Sequence, residues 1–177
     1  SLYTMSLRSQ NIEQLISEEF DVLIIGGGIN GAVSAAALTA RGARVALIDS
    51  RDFAGFTSQQ SSNLVWGGIK YMESYEFGLV AGLCKSRNEL LRSFPSTVKE
   101  IRFLTTVSKN FKFHPLVMLA GTWLYWLFGR GKTRIPQLLS KTQLAEQEPL
   151  VNSQNSLGGV EYSDAYLHDN DARFVFN

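Results

Sequence analysis

Ile12, Leu15, Ile16 and Phe20 recur at helical spacing, which predicts a short amphipathic helix within residues 1–20. A β-branched run over residues 21–26, stopped by glycine, predicts a buried strand. Residues 32–40 are small helix-formers with no breaker before Gly42, and residues 44–49 form a second apolar run. Strand, helix and strand in that order predict a βαβ unit, whose parallel sheet is expected to be covered on both faces.

Beyond it, residues 51–63 are rich in Ser, Thr and Gln and predict a loop. Phe77, Val80, Leu83, Cys84, Leu90, Leu91 and Phe94 fit one helix face that Pro95 ends. Residues 101–107 and 157–162 are strand-like but weak, too few to complete a doubly wound sheet. Residues 116–128 form the most apolar run, short of the roughly 20 residues a membrane-spanning helix needs. They predict a buried helix, with Trp123, Tyr125 and Trp126 keeping an interfacial segment as the second reading. Ser140 is placed to cap a helix running to about Glu148 before Pro149, and residues 171–177 resemble a helix opening.

Composition narrows the function class. The 177 residues carry 17 basic and 16 acidic side chains, a net charge of +1, and 45% hydrophobic residues. That balance fits a globular chain and argues against a nucleic-acid partner. One cysteine, Cys84, excludes an internal disulfide framework, points to a reducing compartment and leaves no Cys cluster for zinc. No metal is expected. Cys84 reads as a small core residue and His114, before Pro115, as a turn or surface residue. Asp164, His168 and Asp169 read as an acidic turn capping a helix rather than as a metal site. The first residues lack the basic and apolar regions of a secretory signal.

The chemistry concentrates at Gly26, Gly28, Ile29, Asn30 and Gly31, a GxGxxG run directly after a predicted strand and at the mouth of a predicted helix. The first glycine permits a tight turn, the second a close backbone approach to pyrophosphate, and the third close helix–strand packing. The helix N-terminus offers free N–H groups to that anion. Asp49 closes the second strand, where a carboxylate accepts hydrogen bonds from a ribose and disfavours a 2′-phosphate. This pattern predicts a dinucleotide site. It does not separate FAD from NAD.

Residues 25–32, Asp52 to Ala54, Thr57, Ser58 and the run from Ser61 and Ser62 through Trp66, Gly67, Gly68, Lys70 and Tyr71 to Glu73 resemble the N-terminal part of the FAD-dependent glycerol-3-phosphate dehydrogenases and related oxidases. The likeness continues through Tyr75 to Phe77, Glu148 to Leu150, Glu161 to Asp164 and Asp171 to Arg173. It implies an α/β fold: an FAD-binding Rossmann-type, doubly wound domain, incomplete here, with part of an inserted α+β region. The expected organisation is a helical extension at 1–20, an FAD-binding βαβ unit with a flavin-side loop at 21–75, and a helical, substrate-side region at 76–177 truncated at its end.

With FAD as cofactor, the resemblance implies that Gly26, Gly28, Ile29, Asn30, Gly31, Asp49 and Ser50 bind its nucleotide part. It places Thr57, Ser58, Ser62, Asn63, Gly67 and Gly68 near the flavin. Lys70 and Tyr71 fall where the family carries an Arg-Tyr pair facing the substrate phosphate. A lysine there is a point charge without the bidentate fork of arginine. Asn63 and Trp66 stand where the family usually has Lys and His. The implied activity is hydride transfer from a polyol phosphate to FAD, with electrons passing to quinone or oxygen. A cytoplasmic address, peripheral on the inner membrane, goes with it. A truncated or degenerate relative that binds nucleotide without catalysis is the alternative, and no residue is assigned as proton acceptor.

Overall fold

The computed structural model describes residues 6–55, 58, 60–151 and 155–168. These fall into two compact units, one ending at Ser62 and the other running from Asn63 to His168. Thr57 and the predicted helix opening at 171–177 lie outside the described residues.

The first unit begins with α1 (Leu7–Ser17), which Ser6 caps by accepting from the Ser9 N–H at 3.2 Å. Strand β1 (Val22–Ile25), helix α2 (Ile29–Thr39) and strand β2 (Val45–Ile48) follow. β1 and β2 pair in parallel, Val22 with Val45 through Ile25 with Ile48, which is the predicted βαβ unit. α2 starts earlier than residue 32, because Gly28 is its N-cap and Gly31, the last glycine of the fingerprint, belongs to its first turn.

The expected cover on both sheet faces is met on one only among the described residues. A single crossover helix shields a single face. Ile24 turns toward α2, whereas Leu23 and Ile25, of opposite pleat, are 57% and 79% exposed.

The second unit is built around an antiparallel sheet of β3 (Leu64–Val65), β4 (Val98–Ser108), β5 (Gln137–Leu139) and β6 (Ser156–Leu167). β6 is central. β4 pairs along one of its edges from Val98–Leu167 to Ser108–Ser156, while β3 and β5 share the other. The sheet corrects the expectation of only weak strands after Asp49: β4 and β6 have 11 and 12 residues. Between Thr106 and Ser108 the register shifts, opposite Gly158 at φ +128°, a conformation that calls for glycine.

Helices α3 (Phe77–Ser93), α4 (Pro115–Phe128) and α5 (Lys141–Gln147) complete this unit. α3 ends just before Pro95 as predicted. Ser140 caps α5 with a capping box: its Oγ accepts from the Gln143 N–H and Gln143 Oε1 accepts from the Ser140 N–H. Val80, Cys84 and Tyr125 form a buried cluster against which Ile69, Met72, Phe128 and Tyr162 pack, so Cys84 is the core residue expected. His114 is exposed and is the N-cap of α4, its Nδ1 accepting from the Leu116 N–H.

α4 is a helix but is not wholly buried: Leu116, Val117, Trp123, Leu124 and Leu127 are exposed. Tyr125, grouped at first with the interfacial aromatics, is buried instead because its hydroxyl has a buried partner. No helix among the described residues is long and apolar enough to cross a membrane.

Candidate functional site

In the first unit the fingerprint is shaped by contacts among its own neighbours. Gly26, at φ +111°, donates its N–H to the Ile48 carbonyl at 2.8 Å, tying the turn to the end of β2. A Cβ on Gly31 would run into the Gly26 carbonyl, so the helix can start this close to the strand only without a side chain there. The Asp49 carboxylate is the hub of the turn. Its Oδ2 accepts from the Gly27 N–H at 2.7 Å and its Oδ1 from the Arg51 N–H at 3.0 Å. Those bonds from Arg51 and Gly27 hold its pKa below the ordinary carboxylate value.

The neighbouring Ser50 N–H and hydroxyl also bear on this carboxylate, which stays partly accessible to a ligand such as a ribose. At the mouth of α2 the Ile29 N–H is taken by Ser58 Oγ at 3.1 Å. The N–H groups of Asn30 and Gly31 have no acceptor among the described residues. The donor set fits a dinucleotide: free N–H groups and the positive end of a helix for pyrophosphate, and a carboxylate for ribose hydroxyls. The structure thus gathers Gly26, Gly28, Ile29, Asn30, Gly31, Asp49 and Ser58 at one turn. Ser50 and Ser62 are exposed beside the segments that carry them.

Asn63, Gly67, Gly68, Lys70 and Tyr71 belong to the second unit. Asn63 adopts φ +58°, which Asn tolerates better than most residues, and its carbonyl accepts from the Leu167 N–H at 2.7 Å. Gly67 and Gly68 are buried, and Gly68 opens a 3₁₀ turn over Ile69–Met72. Lys70 lines an open cleft of about 670 Å³ together with Lys112, Phe113, Met118 and Tyr162. Tyr71 does not line it, and its ring lies tilted 5.6 Å from that of Trp66.

Sequence reasoning missed the polar centre of this unit. Asp164, read as a turn residue capping a helix, lies within β6 and is 0% exposed. Arg87, 1% exposed, reaches it from α3 at 3.1 Å, and Tyr125 Oη donates to its other oxygen at 2.9 Å. Burial pushes the Asp164 carboxyl up, against the pull of Arg87 and the hydrogen bonds from Arg87, Tyr125 and Gly67. Burial, aided by Asp164, also raises the neighbouring Tyr162 phenol to about 12. A signal was present in the sequence: Arg87 stands seven residues after Val80 and three after Cys84, on the stripe that faces the core. A charge on that stripe needs a buried partner.

A parallel βαβ unit with a glycine turn closed by a strand-end acid defines a dinucleotide-binding domain of the kind redox enzymes use. Residues 21–175 match the model of the family described as FAD dependent oxidoreductase. The chain belongs to that family, and FAD is the cofactor this membership assigns. It is 35% identical to a glycerol-3-phosphate dehydrogenase of Mycobacterium leprae over 159 residues, covering 89% of this chain and 27% of that protein. With the aerobic glycerol-3-phosphate dehydrogenase of Staphylococcus aureus it shares 34% over 158 residues, 89% of this chain and 28% of the relative. The glycerol-3-phosphate dehydrogenase of Bacillus halodurans, solved with FAD, superposes with a TM-score of 0.66 at 26% identity, covering 95% of this chain and 25% of that one. The chain therefore spans about a quarter of the length of the relatives it matches.

Proposed function

We propose that this chain carries the nucleotide-binding part of an oxidoreductase that converts the secondary alcohol of glycerol 3-phosphate, or a similar polyol phosphate, to a ketone, giving dihydroxyacetone phosphate in the first case. The observation that carries the reading is the turn at Gly26 to Gly31, with N–H groups at the mouth of α2 that have no acceptor among the described residues and Asp49 beside them. When bound, FAD supplies the hydride acceptor. Asn30 and Gly31 donate to the pyrophosphate, and the partly accessible Asp49 carboxylate orients the ribose. Ser58 holds the first turn of α2 in place. In the second unit, the resemblance assigns the backbone at Gly67 and Gly68, with Asn63, to the flavin ring.

Lys70 offers its ammonium to the substrate phosphate, and Lys112 offers a second cation on the same cleft. Electrons leave to a quinone or to oxygen. The exposed apolar residues of α4, Leu116, Trp123 and Leu127 among them, support docking on a membrane surface.

Anaerobic addition of glycerol 3-phosphate to the purified intact protein tests this reading. Bleaching of a yellow chromophore, identified as FAD after heat release, is the expected result. A folded, colourless protein contradicts the reading outright. Retained flavin that no polyol phosphate reduces favours a nucleotide-binding relative without catalysis, which the departures at Asn63, Trp66 and Lys70 support.

A further inference from the structure

Side chains from β6, α3 and α4 converge on the backbone of one residue, Gly67. Asp164 Oδ1 accepts from the Gly67 N–H at 3.0 Å and from Arg87 Nη1 at 3.1 Å, while Oδ2 accepts from Tyr125 Oη at 2.9 Å. Arg87 Nη1 also lies 3.2 Å from Tyr125 Oη, and its Nε and Nη2 donate to Asn88 Oδ1, whose own amide donates to the Gly129 carbonyl at 2.8 Å. On the other side the Cys84 thiol points at the Gly67 carbonyl from 3.6 Å. Both polar groups of Gly67 are thereby answered by buried side chains from β6 and α3. A Cβ on Gly67 would strike Tyr125 Oη, and one on Gly68 would come within 2.6 Å of Leu83 Cδ1.

Stability alone does not explain such a set. An apolar trio of similar volume holds a core at least as well as a desolvated ion pair, which loses solvation on burial. What the ion pair adds is direction, since charge-assisted hydrogen bonds fix the atoms they join more tightly than packing does. Here the joined atom is the N–H of Gly67, three residues before Lys70.

We propose that Asp164, Arg87 and Tyr125 are positioning residues: they set the backbone from Gly67 to Lys70, so that whatever this segment binds depends on Asp164 without touching it. The inference rests on the reading above, in which Gly67 and Gly68 face the flavin and Lys70 the phosphate.

The test compares Asp164→Asn and Tyr125→Phe with Leu144→Ala, a control equally buried in α5 and outside the cleft. In the flavin-loaded protein Asp164→Asn is expected to weaken FAD binding about tenfold and to shift the visible flavin band, and Tyr125→Phe to weaken it about threefold. Leu144→Ala is expected to lower Tm while leaving Kd and spectrum unchanged. If Asp164→Asn lowers Tm in the same way and leaves both flavin readouts unchanged, the proposal is overturned. Should Asp164→Asn fail to fold, Tyr125→Phe decides by the same readouts. An unsubstituted protein that takes up no FAD defeats the cofactor reading by itself. In that event amide hydrogen exchange at Gly67 and Gly68 decides: faster by about tenfold in Asp164→Asn or threefold in Tyr125→Phe, but not in the control, supports positioning, and rates equal to the control overturn it.

Discussion

In the first unit the groups offered to a ligand are backbone N–H groups at a helix mouth and one partly accessible carboxylate, held by Asp49, Arg51 and Ser58 of the same unit. Its buried apolar residues are small, Ala46 and Ala54, and one face of its sheet exposes Leu23 and Ile25. In the second unit Val80, Val98, Tyr125, Leu144 and Val160 are buried around a sheet, and the polar groups that matter sit inside that core. The contrast teaches that a ligand turn can be shaped by partners 22 to 29 residues away within one small unit. A buried ion pair, such as Arg87 with Asp164, has to be assembled by the whole fold around it.

Breaking the second unit at its ion pair should give the largest effect. Asp164→Ala leaves the Arg87 guanidinium desolvated and unpaired, and should cost about 3–5 kcal/mol in urea unfolding. Replacing both partners by apolar residues, Arg87→Met with Asp164→Leu, should recover most of that loss. A single substitution costing under about 1 kcal/mol would show that Arg87 is not left buried and unpaired without Asp164.

The first unit breaks differently. Gly31→Ala drives a methyl into the Gly26 carbonyl, and an overpacking cost of about 1–3 kcal/mol should fall on the turn. FAD affinity, read by quenching of intrinsic fluorescence, should drop about ten- to a hundredfold with the melting of the second unit unchanged. If the loss appeared in stability and not in affinity, the turn would be structural only.

A milder probe is Ser140→Ala, which removes the capping box of α5 and should cost about 1 kcal/mol in thermal unfolding, without effect on FAD. Smallest is the pH response of Asp49. Its folded pKa lies below the ordinary 3.8, so its contribution is present above 3.8 and lost as pH falls through the depressed value. Stability measured down the acid limb should therefore fall less steeply in Asp49→Asn. An identical limb in both proteins would remove Asp49 from its place as hub of the turn.

Much of this was legible in the sequence, for physical reasons that also mark where legibility stopped. β1, α2, β2 and α3 announce themselves because their apolar spacing is local, and the glycine turn because its three constraints lie within six residues. β6 was read only as far as Tyr162, since Ser163 and Asp164 look like turn residues. They stay in a central strand because Arg102 donates to Ser163 Oγ at 2.7 Å and Arg87 answers Asp164. Those partners are 61 and 77 residues away, which no local window reaches. β3 and β5, two and three residues long, are held by pairing with β6 and carry no pattern of their own. Tyr125 was read with Trp123 and Trp126 as an interfacial aromatic, though a tyrosine in such a run needs a partner for its hydroxyl once buried.

The central claim is that the turn from Gly26 to Gly31 is an FAD site. Parallel equilibrium titrations of the unsubstituted protein and Gly31→Ala with FAD and with NAD test it most directly. FAD should bind at least about tenfold more tightly than NAD, with that preference lost in Gly31→Ala. NAD binding more tightly than FAD, or FAD affinity indifferent to Gly31, would contradict it.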